Sequence, residues 1–243
     1  MDISENGRYA TFLRAYSGTE QLLQRNLVTR TTHLIATGGN TPGGDMLWGG
    51  FFARDGSMIF YTNHNVLYVH RRGEKHDWSV ISPFRGAALA DAITPDGRYL
   101  LFDESQPDMT TGFLHSEVYR YDRVAHTCTR ISVGVWPYTS DPTAGGMSND
   151  GRYVAFVASG DGYSPGDTDQ HSDLLIRDLS TNVTTRASVA NSGADFPTPV
   201  GTPLGRVLSA DGSIAIFWTK FPAVSRDTNG VMDVFARIGM TDG

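Results

Sequence analysis

Cysteine is almost missing. Among 243 residues only Cys128 occurs, so no disulfide can form within the chain and no cysteine-ligated zinc site is available. No run of about 18 apolar residues appears, so nothing reads as a membrane-spanning helix. A basic surplus is missing too. The net charge is −6, which leaves no excess of cations to release phosphate counterions and argues against nonspecific nucleic-acid or anionic-lipid binding. The opening stretch MDISENGRYA has no basic segment followed by an apolar one. The sequence as it stands therefore carries no signal peptide and reads as cytoplasmic, or as periplasmic or secreted where an upstream signal was removed. Gly-x-Ser-x-Gly, phosphate-loop and dinucleotide fingerprints are absent. The histidines, His33, His64, His70, His76, His115, His126 and His171, show no zinc-type spacing. What remains is 40% hydrophobic with 27 glycines and 11 prolines, too apolar for a disordered chain and rich in turns.

Self-similarity is the strongest signal present. Five segments read alike: Ser4 to Tyr9, Ala53 to Met58, Thr94 to Tyr99, Ser148 to Tyr153 and Ser209 to Ile214. Each carries Asn-Gly or Asp-Gly, and an aromatic follows five residues after the glycine: Phe12, Tyr61, Phe102, Phe156 and Phe217. The glycines lie 49, 41, 54 and 61 residues apart, the period of a four-stranded blade and not of a helical solenoid. Asp-Gly is a hairpin signal because both turn residues take positive φ cheaply. Alternating strands follow, then strands at Leu22 to Leu27, Val66 to His70, Val118 to Asp122, Leu174 to Asp178 and Val234 to Ile238. Thr/Arg/Val-rich strands come next (Thr127 to Val133, Val183 to Val189), and Leu47 to Phe52 and Ala87 to Ile93 precede the following turn. The expectation is all-β, a propeller of four-stranded antiparallel blades. Blades fall at about 1–37, 45–83, 87–134, 143–190 and 202–243 of a single domain; five is the literal count, six or more where flanking chain is missing.

Ser148-x-Asp150-Gly151-Arg152-Tyr153-Val154-Ala155-Phe156, then Gly166-Asp167-Thr168 with Asp173, then Thr184-Thr185-Arg186-x-Ser188-Val189, resembles the bacterial TolB-type β-propeller repeat. The resemblance is closest over 148–189 and extends across the chain. It implies the fold, and it implies a docking platform, a ligand binder or, occasionally, an enzyme.

Candidate sites come from position within the repeat. Five residues before the turn aspartate stand Gly50, Asp91, Gly145 and Arg206, on strands expected to line a central channel. A carboxylate and a guanidinium there suit a structural ion pair or anchors for a polar ligand; the alternative is that both point into blade interfaces. Long connections at Asp103 to Glu117, Val157 to Asp173 and Trp218 to Asp233 suggest a loop-rich face with a pocket at one end of the channel. Trp48, Trp136, Tyr138 and Phe196 sit in aromatic, proline-rich connections suited to stacking on a sugar or flat ligand, or to plugging gaps between blades. Asp141 and Asp195 stand beside them and, with Asp91 and Arg206, are the catalytic candidates of an enzyme. Asp167, Asp169 and Asp173, and Asp227, Asn229 and Asp233, alternate oxygen ligands as a hard cation such as Ca2+ requires, although side-chain-to-backbone turns explain them equally.

Two functions stay open at this stage. One is a propeller binding a small-molecule, glycan or protein ligand. The other is a lyase, hydrolase or cyclase using the same channel residues. Unpaired strand edges at the termini favour a homodimer.

Overall fold

The computed structural model describes residues 2–16, 18–39, 47–74, 76–80, 87–107, 114–134, 141–160, 162–167, 170–202 and 206–239. Among them every regular element is a strand. The first sheet holds β1 (Asp2–Ile3), β2 (Tyr9–Tyr16), β3 (Thr19–Asn26) and β4 (Thr32–Gly39); the second holds β5 (Leu47–Phe52), β6 (Met58–Asn63), β7 (Val66–Arg71) and β8 (Trp78–Ser79). The third holds β9 (Ala87–Ile93), β10 (Tyr99–Pro107), β11 (Leu114–Asp122) and β12 (Thr127–Arg130); the fourth holds β13 (Thr143–Met147), β14 (Tyr153–Ser159), β15 (Ser172–Asp178) and β16 (Val183–Arg186). The last sheet pairs β17 (Ile214–Thr219) with β18 (Asp233–Ile238). Each sheet is a meander in which sequence neighbours are ladder neighbours, and the strand pairings among the described residues are antiparallel. In the fifth sheet the place of a first strand is taken by isolated bridges, Leu208 to Ala215 and Gly201 to Trp218.

Two compact units result: Met1–Leu114 with Tyr119–Thr129, and His115–Val118 with Arg130–Gly243. In the first unit, Phe60, Leu67, Val69, Ala88, Ala90, Ile93, Leu100, Phe102 and Tyr119 form one core cluster. In the second, Tyr153, Leu174, Ile176, Phe196, Val207, Ala215 and Phe217 form another. The aromatics five residues after each turn glycine supply much of this interior. Phe102 and Phe156 are fully buried and Tyr61 and Phe217 nearly so; Phe12 is half-buried.

The turn that starts each unit is not the two-residue form with both φ values positive. Only its glycine is left-handed, Gly7 at 65°, Gly56 and Gly97 at 72°, Gly151 at 70° and Gly212 at 78°. A side-chain bond system makes the longer turn. The Ser or Thr hydroxyl donates to the turn Asp or Asn, from Ser4, Thr94, Ser148 and Ser209, at 2.6–2.9 Å. The same oxygen accepts the backbone N–H five residues on, at 2.9 Å in each case. The turn with two positive φ values occurs elsewhere, at His64 and Asn65 (51° and 61°), where it joins β6 to β7.

The Arg-Tyr that follows the glycine locks the turn to the third strand. Arg98 pairs with Asp122 at 2.8 Å and Arg152 with Asp178 at 2.7 Å, while each guanidinium lies over the ring of the next tyrosine, 4.8 Å from Tyr99 and 4.6 Å from Tyr153. The Arg98 hydrogen bond, together with the backbone N–H groups of Ala125 and Val124, draws the Asp122 carboxyl down to about 2. An unfolded aspartate titrates near ~3.9. A lowered folded value means that the stabilisation is complete above the unfolded pKa and is lost as pH falls through the folded one. Asp122→Asn should therefore destabilise the protein at neutral pH and converge on the parent toward about pH 2. Urea midpoints across that range measure it, and parallel pH profiles would refute the pairing.

Candidate functional site

The four residues placed five before the turn aspartate share a structural role wherever their pairing is described. In β5 the ladder passes from Gly49 to Phe51, in β9 from Ala92 to Ala90, and in β13 from Ala144 to Gly146. Gly50, Asp91 and Gly145 are thus each the extra residue of a β-bulge on the first strand of a sheet. Crowding explains the two glycines. A Cβ on Gly50, which has φ +98°, would stand 2.9 Å from Leu22 and 3.3 Å from Thr11; one on Gly145 would stand 3.0 Å from Val207. Asp91 instead turns its carboxylate back into the gap its own bulge leaves and accepts the Asp103 backbone N–H at 3.0 Å. Removal from water, with the Asp103 carboxylate adding to it, pushes the Asp91 carboxyl well above the usual range. Arg206 is exposed beside Val207, whose N–H donates to Gly145 O at 3.1 Å.

The most developed polar assembly lies in the second unit and centres on Arg186, at the end of β16. Its guanidinium reaches Asp167 at 3.2 Å, Asp173 at 3.7 Å and Asp195 at 2.5 Å, and donates to Gly166 O at 3.2 Å. The side chains of Arg186, Asp167 and Asp173 are 8%, 2% and 8% exposed, and that of Asp195 is 26% exposed. Ser188 Oγ donates to Asp173 at 2.6 Å and accepts the Leu174 N–H at 2.9 Å. One cation therefore ties the β14–β15 connection (160–171) to the connection leaving β16 (190–200). Tyr163 pins the first of these from below, buried against Phe156 with ring centroids 5.9 Å apart. The connection is shorter than the sequence implies, because β14 runs on to Ser159 and β15 starts at Ser172.

This geometry bears on two readings that the sequence left open. Asp167 and Asp173 face a guanidinium, so the charge a calcium ion would supply there comes from the chain itself. Their spacing from Asp169 cannot be compared further, since Asp169 lies outside the described residues. In the fifth sheet, Asn229 Nδ2 donates to Asp233 at 2.9 Å and Asn229 Oδ1 accepts the Val231 N–H at 2.9 Å, while the Asp227 N–H closes a turn on Val224 O at 3.0 Å. One of these is a side-chain-to-backbone turn, at Asn229 and Val231, and among the described residues no group of three or more His, Cys, Asp or Glu is disposed to hold a metal. The second is Phe196. It is 2% exposed, with Phe221 and Phe217 at 5.0 and 5.9 Å, so it fills the core and presents no ring to a ligand.

The remaining candidates are dispersed. Trp48 is exposed on β5, opposite Thr62. Asp141, also exposed, accepts the Ser116 N–H at 2.9 Å. Trp136 and Tyr138 lie outside the described residues. A cluster that the sequence did not single out joins Tyr61, Asp77 and His70: the tyrosine hydroxyl donates to Asp77, and His70 Nδ1 is 2.8 Å from the other carboxylate oxygen. Burial first, then Asp77, raises the Tyr61 phenol. The cluster ties the chain between β7 and β8 back onto β6.

The chain is similar in structure to TolB from Acinetobacter baumannii, at 18% identity over 97% of this chain and 50% of that one, with a TM-score of 0.61. The β-propeller domain of the Trilobed protease from Pyrococcus furiosus matches at 10% identity over 96% of this chain and 64% of that one, TM-score 0.61. The chain has the TolB-type β-propeller fold. A propeller of another kind, oligogalacturonate lyase in complex with manganese, matches at 14% identity over 92% of this chain and 55% of that one, TM-score 0.55. The chain thus spans between half and about two thirds of the length of these proteins. No family model matches the sequence, and no curated protein does.

The Arg186 assembly makes a strong demand on the propeller blade that carries it. Removing the cation leaves the buried carboxylates of Asp167 and Asp173 without it, beside a partly exposed Asp195, and breaking a buried pair from one side costs about 3–5 kcal/mol. Arg186→Ala should lower urea-unfolding stability by that order, whereas Arg130→Ala, whose side chain is 37% exposed, should cost less. Equal losses would show that the assembly is a surface feature.

Proposed function

We propose that the protein is a binding propeller whose ligand, a small molecule, a glycan or a protein segment, is held at the end of the second unit that carries connections 160–171 and 190–200. The observation that carries this reading is the Arg186 assembly. A surface loop needs no buried ion network to close a hairpin. One that is fixed through Asp167 and joined to a second connection through Asp195 has lost its freedom before any ligand arrives, and preorganisation of that kind converts contact area into affinity. Exposed positions lie along the two connections, including Gln170 and Asn191 to Ala194. Asp141, exposed one repeat earlier, extends the proposed surface. The test screens immobilised glycans and peptides with the parent and with Gln170→Trp/Ala194→Trp, both substitutions at exposed positions. A ligand retained by the parent and bound about tenfold or more weakly by the double variant, a loss of ~1.4 kcal/mol, supports this face. Ligands bound equally by both proteins would remove it.

An enzyme acting on a small organic molecule is the second reading, and Asp91 is the observation that favours it. A carboxyl held above its usual range on a first strand is suited to general-acid work near neutral pH. Because the lyase neighbour acts on oligogalacturonate, that polymer is the first substrate to try, with and without manganese. Turnover that disappears in Asp91→Asn supports the enzyme. Turnover retained in that variant excludes Asp91 as its acid.

A further inference from the structure

Two asparagines of the chain precede a glycine, Asn6 and Asn229. Both are exposed and both make the same local turn. Asn6 Oδ1 accepts the Arg8 N–H at 3.0 Å, and Asn229 Oδ1 accepts the Val231 N–H at 2.9 Å. The glycine that follows is left-handed in each pair, 65° at Gly7 and 69° at Gly230. A Cβ on either glycine would meet no atom within 4 Å. The two pairs are thus alike in exposure, in backbone conformation and in the bond to the side-chain carbonyl. They differ at the glycine nitrogen. The Gly7 N–H donates to Ser4 O at 2.7 Å. The Gly230 N–H has no hydrogen bond among the described residues.

That difference follows from the repeat. At the other repeat turns Gly56, Gly97, Gly151 and Gly212 donate to Ala53 O, Thr94 O, Ser148 O and Ser209 O at 2.8–3.0 Å. Every Asn-Gly or Asp-Gly pair at a repeat turn therefore has its glycine nitrogen engaged. Gly230 stands outside the repeat turn, in the connection 220–232 between β17 and β18. Its exposure is a feature of that connection and not of the two-stranded sheet. Counted back from Asp173 and Asp233, Gly230 corresponds to Gln170, which is exposed beside a four-stranded sheet.

The glycine nitrogen is the atom that Asn-Gly chemistry needs. It attacks Cγ of the asparagine and forms a bond to it. The Cγ–Nδ2 bond breaks, and Nδ2 leaves as ammonia with the proton that the glycine nitrogen gives up. The product is a cyclic imide. Water opens the imide at either carbonyl and gives aspartate, or isoaspartate, in which the chain runs through Cβ and Cγ. Glycine permits the attack because no Cβ crowds its nitrogen. An N–H already held by a carbonyl has to be released first, which raises the barrier.

We propose that Asn229 is a self-modification site, converted to aspartate and isoaspartate through attack by the Gly230 nitrogen, while the Gly7–Ser4 bond preserves Asn6. The amide of Asn229 now donates to Asp233 at 2.9 Å. Its replacement by a carboxylate turns that hydrogen bond into a like-charge contact, and isoaspartate also lengthens the backbone just before β18. The modification therefore releases the connection 220–232 from Asp233. It involves neither the connections 160–171 and 190–200 nor Asp91, so it stands or fails independently of the proposed function.

The test incubates the purified protein at mildly alkaline pH, folded and in urea, and follows the peptides that carry residues 6 and 229 by mass spectrometry. In urea the two asparagines should lose ammonia at about equal rates. In the folded protein Asn229 should react about tenfold or more faster than Asn6, the ratio that one backbone hydrogen bond contributes to a rate. Aspartate and isoaspartate forms of the 229 peptide should both appear, since direct hydrolysis of the amide gives aspartate alone. Gly230→Ala, at an exposed position, should slow Asn229 and leave Asn6 unchanged. The proposal is overturned by equal rates at the two asparagines in the folded protein, by an Asn229 that reacts in urea only, by aspartate as the sole product, or by an Asn229 rate that ignores Gly230→Ala.

Discussion

Register is the constraint from which the other features of each sheet follow. Side chains alternate with a period of two, so a slip of one residue would turn a whole strand inside out. The hydroxyls of Ser4, Thr94, Ser148 and Ser209 prevent that slip by donating to the turn carboxylate or amide and accepting the N–H that begins the second strand. With that N–H fixed, the aromatic after it is buried at Phe102, Phe156 and Phe217, and the bulge falls on one repeat position, occupied by Gly50, Asp91 and Gly145. Ala53 replaces the hydroxyl in the second repeat, where Asp55 still accepts the Ser57 N–H at 2.8 Å. That repeat shows that the carboxylate half of the device is enough to form the turn.

Charge does two different jobs on this frame. The Arg98–Asp122 and Arg152–Asp178 pairs leave their guanidinium groups 43% and 42% exposed. Solvent weakens such pairs, and their value lies in holding the turn against the third strand at one distance. Arg186 is enclosed. A buried ion set of this kind contributes little net stability compared with apolar packing, yet it is expensive to break from one side. It therefore selects one arrangement of the connections it joins, which is what a surface that has to be rigid before it meets a ligand requires.

The repeat, its period and the extents of Leu47 to Phe52 and Ala87 to Ile93 were legible because their causes are local: a turn chemistry, an aromatic at a fixed offset, alternation between them. The equivalence of Gly50, Asp91 and Gly145 was legible by counting, but their being bulges was not, since a bulge is a relation to a partner strand. Phe196 illustrates the same limit. A phenylalanine between Asp195 and Pro197 has the same local signature whether it meets a sugar or Phe217 and Phe221. Asp167 and Asp173 have a spacing that serves a divalent ion or a guanidinium equally well. Arg186 faces both carboxylates, and it arrives from a strand that the spacing does not mention. His70 and Asp77 carried no signal, because the Tyr61 that completes their cluster belongs to a different strand.

One acid position shows how a blade finishes. The outermost strand of a meander has a neighbour on one side only, so its ladder gives half the restraint that an inner strand receives. β12 and β16 each run from Thr or Val to Arg and then bend away, with Val133 N–H on Ile131 O and Val189 N–H on Ala187 O at 2.8 and 3.0 Å. At the bend a backbone carbonyl is no longer available to the N–H of Val118 or Leu174. A serine hydroxyl supplies the acceptor, and its proton goes to the neighbouring carboxylate, which the arginine neutralises. Acid, arginine and serine are thus one unit that anchors a strand exactly where its ladder stops. The carboxylate has no such work to do without the strand. At Asp233, beside which no outer strand is described, the carboxylate accepts from Asn229, a partner four residues away.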